Sequence, residues 1–135
     1  MEQYYIERAL ELREKGYNCA QAVACAFIGL LDINEETLFK ITAGFGGGMG
    51  GNEGTCGAIS GGITVLSLLL SEKVVSKKGK EATYKASTTL FEEFVTLNKS
   101  GVCKDLKGTE TGIELRSCEG CIIDATRITY SIITS

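Results

Sequence analysis

The sequence of 135 residues is 44% apolar and 23% charged with a net charge of −3, which excludes a disordered tail or two full domains and fits one domain spanning residues 1–135. It has no histidine, so Ser/His/Asp and Cys/His catalytic pairs, mixed Cys/His zinc sites, histidine-held haem and histidine pH switches are all excluded. The balance of 14 basic against 17 acidic residues offers no cationic face for nucleic acid or anionic lipid, and points instead to a small-molecule or protein partner.

Apolar residues recur at spacings of three and four, and there is no proline to interrupt a helix, so the expected class is all-α: a compact bundle of about five to six helices. The first helix is predicted from Gln3 to Lys15, with Ile6, Ala9, Leu10 and Arg13 on one face and Gly16 as its stop. Its mixture of charged and apolar residues is neither a signal peptide nor an anchor, and the chain is expected in the cytoplasm. Asn18 and Gln21 form a variant capping box that opens a second helix, placing Cys19 in its first turn and Val23, Ala24, Phe27 and Leu31 along one side. Asp32 or Asn34 caps a third helix, with Glu35 and Glu36 in its first turn and Leu38 and Ile41 pointing inward. Leu38 to Phe45 reads as either helix or strand.

A loop from Gly44 to Gly54, with seven glycines, precedes a central apolar helix that starts after Thr55 as N-cap and runs to about Glu72. Its apolar stretch, Cys56 to Leu70, falls short of the ~20 residues needed to span a bilayer, so no membrane insertion is expected. Gly57 and Gly61 lie on one face of it, where another helix can approach closely. Ser76 to Lys80 is a solvated connection. Ser87, Leu90, Phe91, Phe94 and Val95 mark another amphipathic helix stopped at Gly101, with Cys103 just beyond. Lys104 to Ser117 reads as a loop of about fourteen residues. Ser117 caps the last helix, in which Cys121, Ile122, Ala125, Ile128 and Ile132 share a face, although Gly120 weakens its first turn.

The distinctive chemistry is six cysteines. A domain of this length buries roughly two-thirds of its unfolded surface and needs no disulfide staples, and in a reducing compartment free thiols serve as metal ligands or redox groups. Cys19, Cys56 and Cys118 each follow a capping-type residue, near free backbone N–H groups at positive helix ends, which favours the thiolate. Cys25, mid-helix, reads as packing. The run Gly46 to Gly51 contains a formal G-x-G-x-x-G, but it lacks the strand and βαβ unit of a dinucleotide site and the Lys-Ser/Thr ending of a P-loop. Its glycines, Gly47 and Gly48 among them, instead let backbone N–H groups approach a thiolate or a cluster sulfide, and Gly57 sits close enough to Cys56 to take part. Cys118-Glu119-Gly120-Cys121 is a C-x-x-C at a helix start, a spacing shared by redox pairs and by two ligands of a metal site.

With Asn18-Cys19-Ala20-Gln21-Ala22-Val23, Gly44-Phe45-Gly46-Gly47-Gly48-Met49-Gly50, Cys56-Gly57-Ala58-Ile59-Ser60-Gly61, Cys103 and a late cysteine in order, the whole chain resembles the C_GCAxxG_C_C family of redox-active proteins. The resemblance implies a small, mostly bacterial and archaeal cytoplasmic domain with four characteristic cysteines, related to domains found with iron–sulfur centres. Carried over by residue, Cys19, Cys56 and Cys103 match the first three; Cys118 best fits the fourth, with Cys121 as a substitute. Cys25 and Cys121 depart from the minimal pattern.

Three functions follow as expectations. In the first, thiolates of Cys19, Cys56, Cys103 and Cys118 or Cys121 hold an iron–sulfur cluster or another thiophilic metal for electron transfer. In the second, a metal-free thiol/disulfide oxidoreductase cycles one cysteine pair, exchanging with a redox partner protein or a small thiol or disulfide. In the third, the cysteines only pack, and the chain is a non-catalytic helical partner of a transporter or redox complex. The small-residue face of the central helix also allows a homo-oligomer.

Overall fold

The computed structural model describes residues 1–135 and contains no strand. Its helices are α1 (Glu2–Glu14), α2 (Cys19–Ala26), α3 (Glu35–Thr42), α4 (Gly57–Leu70), α5 (Glu81–Asn98), α6 (Cys103–Lys107) and α7 (Cys118–Thr134). Two 3₁₀ turns, Ile28–Leu30 and Ala43–Phe45, join them. The expected all-α bundle therefore stands, with one more helix than the range anticipated: α6 occupies the start of what reads in sequence as the loop Lys104 to Ser117. Gly108, at φ +73°, ends α6 after little more than one turn, too short for an apolar period to register.

The uncharged, glycine-containing helix α4 sits at the centre, against α2, α5 and α7, while α1 covers α2 and α7. It is central because none of its 14 residues carries a charge and because glycine lets neighbours approach. A Cβ on Gly61 would stand 2.5 Å from the Ala20 carbonyl oxygen, and one on Gly62 would meet Thr129 Oγ1 at 2.5 Å and Leu90 at 2.7 Å. Around this axis Leu12, Val23, Phe27, Leu38, Ile59, Leu66, Leu90, Phe94 and Ile122 are buried in one continuous core. Removing such side chains from water is the main favourable contribution to folding. Tyr5 extends the core by stacking on Phe27, ring centroids 4.7 Å apart.

Local signals explain most boundaries. Asn18 caps α2 in a full capping box: its side chain accepts from the Gln21 N–H at 2.9 Å, and the Gln21 side chain accepts from the Asn18 N–H at 3.0 Å. Asn34, not Asp32, caps α3 through the Thr37 N–H, and Ser117 caps α7 through the Gly120 N–H. Leu38 to Thr42 is helix, followed by the 3₁₀ turn, which decides the ambiguity between helix and strand.

Other expectations need correction. Leu12 rather than Arg13 completes the buried face of α1, and Arg13 is exposed, because the stripe follows Ile6, Ala9 and Leu12. Thr42 replaces Ile41 on the inner face of α3; its hydroxyl is satisfied by the Leu38 carbonyl at 2.8 Å, so burial costs little. The helix α5 ends at Lys99 in the left-handed conformation (φ +70°), before Gly101. α4 starts with Cys56 as its N-cap and stops at Leu70, short of Glu72. Thr55 is drawn away from the cap by an antiparallel bridge to Val102. No helix is long and apolar enough to cross a membrane.

Candidate functional site

The glycine-rich loop does the positioning. Gly47 (φ +64°), Gly48 (φ +62°) and Met49 (φ +63°) form a left-handed turn, a conformation that costs residues with a Cβ roughly 1–2 kcal/mol each. Beyond it the chain is laced to the start of α6: the Cys56 N–H donates to the Gly101 carbonyl at 2.7 Å, Cys103 N–H to Gly54 at 3.0 Å, and Lys104 N–H to Asn52 at 2.9 Å. These bonds set Cys56 beside Cys103. The close packing of α4 on α2 adds Cys19, since a Cβ on Gly57 would overlap its sulfur.

The result is one cleft of about 210 Å³ lined by Cys19, Cys56, Cys103, Cys118 and Cys121, together with Asn18, Gly47 and Leu106 and the cations Arg13, Lys107 and Arg116. Every cysteine singled out from the sequence for chemistry is there, and Cys25, read as packing, is not. The three glycines lie at the sulfurs as well. The Gly47 N–H donates to the Cys19 sulfur, and a Cβ on Gly48 would overlap Cys103. Sequence reading missed the cations. The apolar period places Arg13 on the core face of α1, and Lys107 and Arg116 fall within the stretch that reads as a loop.

Each thiol meets a different environment. Cys56 is held down to about 7, first by a hydrogen bond donated by the Cys121 thiol, then by the Ala58 and Ile59 N–H groups at the start of α4 and the nearby charge of Lys107; burial opposes them. Cys121, buried and donating, is pushed strongly upward by the same bond. The C-x-x-C spacing thus does not define the strongest coupling: Cys56 acts on Cys121 more than Cys118 does, and Cys118 stands at the first turn of α7, half-buried in the cleft. Burial raises Cys19 despite N–H donors from Gly47 and Ala20. Burial likewise raises Cys103, whose thiol donates to Asn52 Oδ1 at 3.6 Å. In the core of α2, burial raises Cys25 to about 12.

Arg116 is a fixed wall. Its guanidinium donates to both oxygens of the buried Asp124, at 3.0 and 3.2 Å, and Asn98 Nδ2 donates to Asp124 Oδ2 at 3.1 Å. Gly120 is required here, because a Cβ would overlap that guanidinium. The glycine that weakens the first turn of α7 makes room for the ion pair that holds its start.

The shifts predict a pH profile of stability. Cys56 is depressed from 9.0 to about 7, so its contribution is complete above the unfolded value and is lost as pH falls through about 7. Stability should therefore rise as pH climbs above 7, by about 1 kcal/mol at most, because the other four thiols begin to oppose it on approaching 9. Above about pH 9 it should fall, because Cys19, Cys25, Cys103 and Cys121 keep protons that the unfolded chain releases. Urea unfolding under reducing conditions measures this; in Cys56→Ser the rise above 7 should vanish, and its persistence would refute the assignment.

Five sulfurs form a donor set that thiophilic metals accept. As folded, no three cysteine, aspartate or glutamate side chains stand around a common point in a metal-holding arrangement.

No solved structure matches the chain. A protein of Archaeoglobus fulgidus, described as an uncharacterized protein, is 27% identical over an alignment covering 92% of this chain and 89% of its own length. The family model described as "Putative redox-active protein (C_GCAxxG_C_C)" matches residues 17–132, from just before the capping box of α2 to near the end of α7. The match takes in every cysteine of the cleft, and the chain belongs to the C_GCAxxG_C_C family of redox-active proteins.

Proposed function

We propose that this protein is a thiol/disulfide oxidoreductase in which Cys56 is the nucleophile and Cys121 the resolving thiol. The observation that carries this reading is the placement of Cys56, at the N-cap of α4, and Cys121, in the first turn of α7, in the wall of one cleft, where the Cys121 thiol and the α4 N–H groups hold Cys56 toward its thiolate. One member of the pair is held as thiolate and the other as thiol, the two states that exchange chemistry needs.

The steps balance as follows. The Cys56 thiolate attacks one sulfur of a substrate disulfide; a Cys56–substrate disulfide forms, the substrate S–S bond breaks and one substrate thiolate leaves. Cys121 then gives its proton to a released thiolate and attacks the Cys56 sulfur. The Cys56–Cys121 disulfide forms and the second substrate thiolate leaves. Two electrons pass from the protein pair to the substrate. The N–H groups of Ala58 and Ile59 keep charge on Cys56 before attack and make it the better leaving group in the reverse direction. Mild oxidation followed by mass mapping of thiols tests the pairing: Cys56–Cys121 should form first and reversibly, and preferential formation of Cys118–Cys121 would contradict it.

A second reading, an iron–sulfur cluster or another thiophilic metal, draws on the five sulfurs around one cleft. It requires side chains to rotate until at least three sulfurs converge. Anaerobically purified protein containing stoichiometric iron and acid-labile sulfide, with colour lost in Cys56→Ser, would favour it over the dithiol. As a redox protein acting on a cleft of this kind, the chain is read as cytoplasmic, and its partner as a molecule able to present a disulfide there.

A further inference from the structure

We propose that the cleft selects a small anionic disulfide, and that Arg13 and Lys107 read its charge. This rests on the Cys56–Cys121 exchange reading and adds the class of substrate.

The chain is acidic overall, at −3, yet the cleft is lined by three cations and no carboxylate. The three are not equivalent. Arg116 is committed to Asp124 by two hydrogen bonds. Arg13, in the last turn of α1, and Lys107, in the last turn of α6, form no salt bridge, whereas Lys104, three residues before Lys107, is engaged by both Glu53 and Glu110. Two free cations therefore face the space above the thiolate, on elements far apart in sequence.

A negative substrate gains from both cations, and they also offset the repulsion between that substrate and the Cys56 thiolate. Size restricts the class further. At about 210 Å³ the cavity is below the roughly 300–1,000 Å³ of sites for drug-sized ligands. It fits a few-atom chain with a disulfide and a carboxylate, and is too small for a folded protein's loop.

Single-turnover reduction tests this with the reduced full-length protein and three matched probes: dithiodiglycolate (anionic), 2-hydroxyethyl disulfide (neutral) and cystamine (cationic). At low ionic strength the expected order is anionic over neutral by about threefold and over cationic by about tenfold, as the net unit charge left by two cations and the Cys56 thiolate about 6 Å away in water would give, with compression toward unity in high salt. In Arg13→Gln/Lys107→Gln the anionic-to-cationic ratio should fall to one or below, since the Cys56 thiolate then repels the anionic probe unopposed; the ratio cancels any change in the fraction of Cys56 present as thiolate. Equal wild-type rates with all three probes, a ratio that survives the double substitution, or faster reduction of insulin than of every small probe would each overturn the proposal while leaving the Cys56–Cys121 pair in place. Failure to reduce any disulfide would instead overturn the exchange reading on which it stands.

Discussion

Cys56→Ser should lower disulfide reduction by about a thousandfold or more, because it removes the attacking sulfur itself. Cys121→Ala should behave differently, and the difference is diagnostic. The hydrogen bond from Cys121 is the largest influence holding Cys56 near 7, so without it the thiolate titration should move back toward the ordinary cysteine value. At neutral pH that cuts the thiolate fraction about 50-fold, but a more basic thiolate is intrinsically more nucleophilic by roughly tenfold, leaving a net fall of about fivefold in the first step. With no resolving thiol, the Cys56–substrate disulfide should also accumulate. Ultraviolet thiolate absorbance against pH reads the titration, and intact mass reads the trapped adduct. A Cys121→Ala protein that neither shifts the titration nor traps the adduct would remove Cys121 from the role assigned to it.

The second large effect concerns the helix pair that brings the sulfurs together. Gly61→Val should destabilise the fold by about 3 kcal/mol, or roughly 10 °C in melting temperature. A Cβ there would lie 2.5 Å from the Ala20 carbonyl oxygen and 3.1 Å from its Cα. These are backbone atoms of a buried helix, and they yield only if α4 and α2 separate. Gly61→Ala is the sharper test: the better helix propensity of alanine returns about 1 kcal/mol, and a net loss of about 1 kcal/mol should still remain. Gly44→Ala is the control, since a Cβ there meets nothing within 4 Å and its φ is not positive. Because α2 begins at Cys19 and α4 at Cys56, spreading the two helices should also lower Cys56 reactivity in Gly61→Ala. A Gly61→Ala protein as stable as the Gly44→Ala control would mean that the close approach is not needed.

Sequence alone was sufficient wherever the deciding interaction spans four residues or fewer. The capping box at Asn18 and Gln21, the Ser117 cap, the helical class and the packing role of Cys25 belong to this group, because backbone N–H groups and apolar periods within one helix do not depend on what lies across the fold. The same locality explains the errors. Thr55 was a sound N-cap until the bridge to Val102 claimed it. Gly101 was a sound stop, but Lys99 ends α5 two residues earlier. Arg13 fitted a helical face until the neighbours of α1 fixed which stripe is buried.

The site divides in the same way. Residue types and spacing were enough to nominate Cys19, Cys56, Cys103, Cys118 and Cys121, along with Gly47, Gly48 and Gly57, because glycine runs and cysteines after capping residues are visible one segment at a time. Only the tertiary structure decided that Cys56 acts on Cys121 more strongly than Cys118 does, that Arg116 is spent on Asp124, and that Arg13 and Lys107 line the cleft without a salt bridge. Each of those facts depends on a contact between segments distant in the chain. Such contacts are set by how α2, α4, α6 and α7 pack as solid bodies, and no local pattern of residues carries that information.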